Sequence, residues 1–570
     1  MPSTDTKLAD AAPENPIAEC RPAPGLSTVP ESMGDIAGAA SVIAMGNIAS
    51  RVLGLVRETV IAYLFGATGL VSAFDVASRV PRMLFDLLID GLVSSALVPV
   101  FSELAERDRA ELWRVASIML SLATLVMSAG LLLIELFASQ VAWLMSGGFD
   151  SDLLADTAYL MRITSPAVVF LSLSGITTGL LYALKRFTLP AFTAAVFNAS
   201  VVVVALVLTG LFGWGIESLA IGMLVGSAMQ VMLQLPGLRG ASLHFSLDWR
   251  HPDVHRILKL YAPVVLGLVV SQIGIVIDRN LASRTGEQSI AWMRYATTLV
   301  QFPLGLVSAA TAMAILPTLS RLASPSATTQ EHAPPALDSG NAGLEAFMGT
   351  LTAGLKMVLV LILPAVVGLF VLSEPVVALV FQHGDFTAFD TQQTSLALRI
   401  YLLGTTFAAI DLPLVFAFYA RKNTLTPALV GMVGVVIYLT AALLPAAVRD
   451  LRMTDLVLAN SIQLTAHTAM MLWLTHQLGS LSGRGLGRTA LKALAASLVM
   501  AGVTQMSAQW LLVRFPGETV LDEAMIVGGA GLAAIVTYSV AATLLRVEEI
   551  GILASLLRGQ LGRVIGDPTR

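Results

Sequence analysis

The sequence predicts an all-α polytopic membrane protein built around a polar interior, and three observations predict it. The 570 residues are 56% hydrophobic and only 13% charged, with a mean hydropathy of +0.78, whereas a water-soluble chain carries roughly 25% charge. Apolar runs long enough to cross a bilayer recur along nearly the whole chain, far beyond what a signal peptide or single anchor supplies. One of these runs also carries Asp75, Arg79, Arg82, Asp86 and Asp90 at spacings of four, three, four and four. On an ideal helix they share an arc of roughly 80°, opposite Phe74, Val76, Val80, Leu84, Leu87 and Leu88. A charge at the bilayer centre costs roughly 2.5 kcal/mol or more, so the stripe must face a hydrated or protein-filled interior.

The chain opens with a polar tail over 1–33 containing Pro13, Pro16, Pro22, Pro24 and Pro30. It lacks an apolar core, so it is read as a disordered cytoplasmic segment rather than a secretory signal. Cys20, the single cysteine, lies in this tail, which excludes an intramolecular disulfide and a cysteine metal cluster. Fourteen spans are expected: 36–64, 70–103, 115–145, 155–184, 189–212, 215–236, 256–282, 289–320, 346–372, 391–419, 425–447, 453–478, 489–512 and 523–545. With the N-terminus inside, basic clusters such as Arg107/Arg109/Arg114, Lys185/Arg186 and Arg421/Lys422 fall in inside loops. The outside loops hold only Arg279, Arg284, Arg449, Arg452 and Arg514. That bias places both termini in the cytoplasm. The formal net charge of −4 adds nothing, because placement matters more than the sum in a membrane protein. A Ser-, Thr-, Pro- and Ala-rich stretch, 323–342, reads as a cytoplasmic linker. For the cytoplasmic tail over 547–570, an interfacial amphipathic helix and a plain solvated segment both fit.

An internal duplication organises these spans. Ala96-Leu97-Val98-Pro99 with Phe101-Ser102 at the end of the second span matches Ala314-Ile315-Leu316-Pro317 with Leu319-Ser320 at the end of the eighth. Tyr182-Ala183-Leu184-Lys185 after the fourth matches Tyr419-Ala420-Arg421-Lys422 after the tenth. Two ordered matches six spans apart predict a six-helix unit used twice. Six is even, so the copies are parallel repeats related by an axis along the membrane normal, with a substrate site between them. The predicted N-lobe covers 34–240 and the C-lobe 250–322 and 343–480; the last two spans, 487–546, lie outside the repeat.

The polar residues inside spans carry the chemistry. In the first span Arg51 and Glu58 share a face, while Arg57 joins them only if the helix bends, which Gly46 and Gly54 make cheap. With Arg79 and Arg82 these give four guanidiniums in two adjacent spans, offset by Glu58, Asp75, Asp86 and Asp90. Two roles are open. The charges form local ion pairs, Asp75 with Arg79 and Arg82 with Asp86, that hold one lobe together. Alternatively, the arginines bind an anionic headgroup such as a pyrophosphate, for which planar guanidinium forks are suited, and the acids balance them when the cavity is empty. On the eighth span Arg294, Thr298 and Gln301 form the opposing face; on the seventh, Gln272 and Asp278 are polar in an apolar run. Asp278 beside Arg279 fits either an ion pair at the outside end or a cation site. Arg162, Arg399 and Asp411 read as local pairs or snorkelling groups. No phosphate-binding loop, metal-ligand cluster or nucleophile motif is present, so neither an enzymatic activity nor a cofactor or metal is expected.

At these residues the chain resembles the MurJ/MviN family, the lipid II flippases of the MOP transporter superfamily. The matching stretches include Ser50-Arg51-Val52-Leu53-Gly54 with Arg57-Glu58, Phe65-Gly66-Ala67, Gly91 to Pro99, Trp292-Met293 with Tyr295-Ala296, and Phe302-Pro303-Leu304-Gly305. Phe381-Gln382 with Gly384 and Phe386 to Asp390, and Phe418-Tyr419-Ala420-Arg421 with Thr426-Pro427, extend the match across both lobes. The resemblance implies a fourteen-helix fold with a V-shaped central cavity and essential arginines. It also implies a groove beside the last two spans for a polyprenyl tail, and outward movement of a lipid-linked peptidoglycan precursor across the bacterial inner membrane for cell-wall synthesis.

Carried over residue by residue, the family's first-span charges fall on Arg51, Arg57 and Glu58. Its second-span acid and arginine fall on Ser72 and Phe85, its eighth-span Asp and Arg on Thr297 and Thr298, and two positions of a sodium site on Tyr438 and Ala442. Asp75, Arg82 and Arg294 stand about one helical turn from the missing charges, as if the charges had moved along the helices. The substrate-binding residues implied are Arg51, Arg57, Arg79, Arg82 and Arg294, with Glu58, Asp75, Asp86 and Asp90 as balancing acids. Thr298, Gln301, Gln272 and Asp278 are the secondary polar groups. Expected partners are a lipid-linked glycan precursor and membrane lipid, with cell-wall synthesis or division proteins as further candidates; no nucleic acid is expected, and the chain is expected to be a monomer. The alternatives are a flippase for another polyprenyl-linked glycan, a cation or drug exporter, which would need an acid-dominated cavity, and a transport-dead membrane scaffold.

Overall fold

The computed structural model describes residues 33–323, 339–481, 483–515, 517 and 519–551, and among them all regular structure is helical. The first half contains α1 (Met33–Phe65), α2 (Gly69–Phe85), α3 (Val98–Arg107), α4 (Arg109–Leu136), α5 (Ala138–Ser146), α6 (Ser151–Thr164), α7 (Ala167–Ala183), α8 (Thr188–Ala191), α9 (Thr193–Phe212) and α10 (Glu217–Gln234). The second contains α11 (Pro252–Ser283), α12 (Ser289–Leu322), α13 (Ser339–Val371), α14 (Ser373–Phe381), α15 (Ala388–Ala420), α16 (Leu425–Leu443) and α17 (Met453–Leu478), and α18 (Leu486–Arg514) and α19 (Val520–Leu544) come last. The expected tail over 1–33, except its last residue, most of the linker and most of the tail after 547 lie outside the described residues.

Among the described residues, nine helices are long and apolar enough to cross a membrane, or up to eleven if two bent pairs each form one span. The bends are 42° between Ser151–Thr164 and Ala167–Ala183, and 54° between Pro252–Ala262 and Gly267–Ser283. Three further helices, α1, α12 and α17, run for 33, 34 and 26 residues but fall outside that test. The chain is thus a multi-pass membrane protein.

Matching local details recur in the two halves. A long helix breaks into a nine-residue helix twice, α4 into α5 at Phe137 and α13 into α14 at Leu372. The turns after α7 and α15 both close on a lysine in the left-handed region, Lys185 and Lys422, each at φ 59°. In both, that lysine's N–H donates to a tyrosine carbonyl, Tyr182 at 2.9 Å and Tyr419 at 2.8 Å. The left-handed region costs a residue with a Cβ roughly 1–2 kcal/mol, so the shared closure is structural support for the duplication beyond the sequence matches.

Prolines inside membrane helices show how the halves are tied internally. Pro81 in α2 has no N–H, which frees the Ala77 carbonyl; the buried Thr164 hydroxyl of α6 donates to it at 3.1 Å. Pro364 in α13 frees the Val360 carbonyl, and Tyr538 of α19 donates to that at 2.6 Å, docking the last helix pair on the second half. Beyond Pro81 the helix passes through two π-helical turns, Asp86–Asp90 and Val93–Leu97. Each π turn rotates the residues beyond it relative to an ideal α-helix.

The halves meet through α1 and α2 on one side and α12 on the other. They are closed at the end that carries the α1–α2 turn. There Tyr295 donates to the Gly66 carbonyl at 2.9 Å, the Asp385 N–H to the Tyr63 carbonyl at 3.1 Å, and the Ala291 N–H to Ser72 Oγ at 3.2 Å. Gly384, at φ 62°, lies so close to Tyr63 that a Cβ would strike its backbone. Asn280 donates to the Leu144 carbonyl at 2.9 Å, and the Gly148 N–H to Ser283 Oγ at 3.0 Å. At the opposite end α11 crosses over: Val254, Ile257 and Tyr261 bury into the first half's core, Arg256 meets Glu103 at 2.8 Å, and Tyr261 donates to the Leu87 carbonyl.

Candidate functional site

Between the halves lies a cavity of about 410 Å³, lined by Arg57 and Glu58 of α1 and by Phe74, Asp75, Ser78, Arg79 and Arg82 of α2. Arg279 of α11, Arg294, Thr297, Thr298 and Gln301 of α12, and apolar residues of α7, α9 and α10 complete it. Leu171, Phe197, Val201 and Met223 give it apolar surface, and its charged lining comes from α1, α2, α11 and α12. Five guanidiniums line the space against two carboxylates; Arg82 has a further partner outside it in Asp86 at 3.1 Å, and Arg279 lies 4.0 Å from Asp278.

Glu58 is the hub. Its carboxylate accepts two hydrogen bonds from Arg294, at 2.8 and 2.9 Å, and contacts Arg57 at 2.6 Å. Arg57 turns back toward the cavity because Asn198 of α9 accepts from its Nη1 at 2.9 Å, while Asn198 itself donates to the Ser50 carbonyl at 3.1 Å. Asp75 sits among three arginines, Arg294 at 3.5 Å, Arg279 at 3.6 Å and Arg79 at 3.7 Å. These contacts have ionic range but are too long to satisfy the donors. Arg79 Nε, Arg279 Nε and Nη1, and Arg294 Nη1 are buried and have no hydrogen-bond acceptor among the described residues. Buried donors without acceptors are costly, and an oxygen-rich anion in this space would supply the acceptors they lack.

The structure brings together Arg57, Glu58, Asp75, Arg79, Arg82, Arg294, Thr298 and Gln301. The expected pairs of Asp75 with Arg79 and of Arg82 with Asp86, the latter at 3.1 Å, both form. The straight stripe does not: the π turns begin at Asp86, and neither Asp86 nor the exposed Asp90 lines the cavity. Arg51 also stands outside it. Its guanidinium lies against Gly305 of α12, where no side chain intervenes, and donates to the Gln301 carbonyl at 3.2 Å. Gln272 is outside as well, with a buried Oε1 that has no donor among the described residues, and Asp278 accepts from Tyr438 rather than lining the space. The sequence places Arg279 among the outside charges, with either an ion pair to Asp278 or a cation site at that end. In the structure Arg279 lies 4.0 Å from Asp278 and closer to Asp75. Its signal was an arginine four residues inside the end of a span. Asn198, missed entirely, was a lone amide in an otherwise apolar run.

At the positions that depart from the family pattern, Ser72 accepts from the N-terminal part of α12, and Arg82 lies over the Phe85 ring at 5.6 Å. Arg294, one turn before Thr298, puts its guanidinium into the same cavity that Thr298 lines. Asp411 and Arg399 form local contacts away from it, to His467 at 2.9 Å and to Ser373 at 2.6 Å.

The chain is similar to known membrane transporters in both sequence and fold. The family model described as lipid II flippase MurJ matches residues 61–520. A Vibrio cholerae protein named probable lipid II flippase MurJ is 31% identical over 408 residues, 69% of this chain and 74% of that one. The lipid II flippase MurJ of Burkholderia cenocepacia is 30% identical over 404 residues, 68% of this chain and 74% of its own. Among solved structures, a lipid II flippase MurJ in an inward closed conformation superposes with a TM-score of 0.73 at 24% identity, covering 89% of this chain and 99% of that one. An inward-facing MATE multidrug resistance transporter of the MOP superfamily gives 0.63 at 13% identity, over 77% and 96%. These two structures share the fold.

Proposed function

The chain belongs to the lipid II flippase MurJ family of membrane transporters, and on that premise we propose that it moves lipid II, an undecaprenyl-pyrophosphate-linked peptidoglycan precursor, from the cytoplasmic to the outer leaflet of the bacterial inner membrane. The observation that carries this reading is the set of buried guanidinium donors, on Arg79, Arg279 and Arg294, that have no acceptor among the described residues in a cavity lined by five arginines and two carboxylates. A pyrophosphate supplies negative charge and acceptor oxygens together, and charge-assisted hydrogen bonds to it are worth about 1.5–3 kcal/mol each.

Fourteen spans with both termini cytoplasmic complete the proposal. The closed α1–α2 turn end is then periplasmic, and the cavity is served from the inside. Glu58 and Asp75 hold Arg294 and Arg279 across the interface while the cavity is empty. The incoming headgroup competes with these acids for the same arginines, so loading and release of the cross-interface pairs are one event. That exchange supplies the differential contact that alternating access requires. Arg57, Arg79, Arg82, Arg279 and Arg294 hold the headgroup in this scheme, and Thr297, Thr298 and Gln301 offer neutral hydrogen bonds to its sugar. Leucine would serve stability as well as these charges do, which favours transport over a scaffold role. The five arginines likewise oppose a cation exporter.

Rescue of a strain depleted of its own lipid II flippase tests the reading. The wild-type chain should restore growth, and an Arg57→Gln, Arg294→Gln double variant present at normal levels should not. Full rescue by that variant would sink the role given to the cavity. A second reading, a flippase for another polyprenyl-linked glycan, draws on Thr297 and Thr298 replacing charges at the headgroup wall; failure of the wild type to rescue, with retained binding of such a lipid, would favour it.

A further inference from the structure

A second polar pocket, of about 430 Å³, lies at the seam where α18 and α19 meet α14 and α15, and shares no lining residue with the arginine cavity. Its volume is within the range of small-molecule sites. Val371, Pro375, Ala378, Ala508, Leu512 and Ile526 give it apolar surface. Glu374, Gln392, Arg399, Gln505, Gln509 and Glu523 give it polar groups. Arg399 is anchored through Nε to Ser373 at 2.6 Å, and its nearest carboxylate, Glu374, stands at 3.9 Å, beyond hydrogen-bond reach. Its terminal nitrogens therefore face the pocket without an acceptor among the described residues. Glu523 contributes a buried Oε2 that no described donor reaches. His383 does not reach it through Nε2, which lies 3.0 Å from the Leu379 carbonyl.

We propose that this pocket binds a zwitterionic phosphoethanolamine headgroup, taken from a phosphatidylethanolamine of the surrounding leaflet. The phosphate would accept from Arg399, and the ammonium would donate to Glu523, with Gln505 and Gln509 completing its three N–H bonds. The charge pattern selects this class. A purely anionic headgroup would meet one guanidinium but two carboxylates, whereas a headgroup with both signs satisfies Arg399 and the unpartnered Oε2 of Glu523 together. The apolar lining gives the glycerol and upper acyl chains a surface. The assignment is independent of the cargo in the central cavity.

The test uses the full chain, purified and stripped of lipid in mild detergent, with the unfolding temperature followed as each probe is added. Phosphatidylethanolamine, phosphatidylcholine and phosphatidylglycerol carry the same acyl chains, and free O-phosphoethanolamine is the fourth probe. Phosphatidylethanolamine should stabilise at the lowest concentration. Phosphatidylcholine, whose quaternary ammonium has no N–H, should need roughly tenfold more, the equivalent of one charge-assisted hydrogen bond. Glu523→Gln and Arg399→Gln should each shift the phosphatidylethanolamine curve by roughly tenfold and leave the phosphatidylglycerol curve in place. Coincident ethanolamine and glycerol lipid curves on the wild type would overturn the proposal whatever the variants do. Free phosphoethanolamine acting as strongly as the lipid would overturn the leaflet as its source.

Discussion

Replacing Glu58 and Arg294 by glutamine, singly and together, tests the cross-interface pair that holds the two halves in this state. Both side chains are nearly buried, at 3% and 11% exposure, and they share two hydrogen bonds of 2.8 and 2.9 Å. Breaking a buried pair by removing one partner costs roughly 3–5 kcal/mol, because the other charge is left uncompensated. Here each survivor keeps a second contact, Glu58 with Arg57 at 2.6 Å and Arg294 with Asp75 at 3.5 Å. Each single change should therefore cost about 3 kcal/mol, the low end of that range. The double change removes both charges and should also cost about 3 kcal/mol rather than the sum, a coupling of about 3 kcal/mol. Denaturant unfolding of the four proteins in lipid nanodiscs reads the cycle. A parallel readout is maleimide labelling of Ala67→Cys, at a position only 2% exposed beside the closed seam. Labelling should rise in both single variants. Single costs that add in the double variant to within about 0.5 kcal/mol would show that the two groups do not interact.

The same geometry sets further outcomes. Thr164→Val keeps the shape but leaves the Ala77 carbonyl unpaired beneath Pro81, so it should lower stability by about 1–3 kcal/mol, read as a fall in melting temperature. Tyr538→Phe unpairs the Val360 carbonyl and should cost a similar 1–3 kcal/mol, with faster proteolysis between α17 and α18 as the local sign of a loosened helix pair. Gly384→Ala adds a Cβ against Tyr63 at a left-handed residue, which costs at least about 1–2 kcal/mol in backbone strain alone. It should open the seam at Ala67→Cys to labelling without weakening headgroup binding; unchanged labelling would refute the close-approach argument.

Much of the fold was legible because membrane physics leaves few options. Span lengths, the bias of basic residues and the repeated Pro and Tyr-Ala motifs came from composition and order, and the matching lysines at 185 and 422 supply structural support for the repeat. The site was legible where charges interrupt apolar runs, as at Glu58, Asp75, Arg79 and Arg294. It was misread where the outcome depends on tertiary partners. An ideal helix places Asp90 with Asp75, but π turns intervene. Arg57 looked misdirected on α1 until Asn198 supplied an acceptor, and Arg279, beside Asp278 at 4.0 Å, also reaches Asp75 across the interface at 3.6 Å, which no local spacing shows. Arg51 shows the converse: it belongs to the family pattern, yet its guanidinium lies on the bare backbone at Gly305.

The most direct test of the central claim is translocation of purified lipid II in proteoliposomes holding the wild-type chain or an Arg57→Gln, Arg279→Gln, Arg294→Gln variant, followed as the exposure of the headgroup to an added enzyme. The account predicts that the wild type transfers lipid II between leaflets, that inorganic pyrophosphate slows it, and that the triple variant, folded and inserted, does not transfer it. Transfer by the triple variant at the wild-type rate would contradict the account.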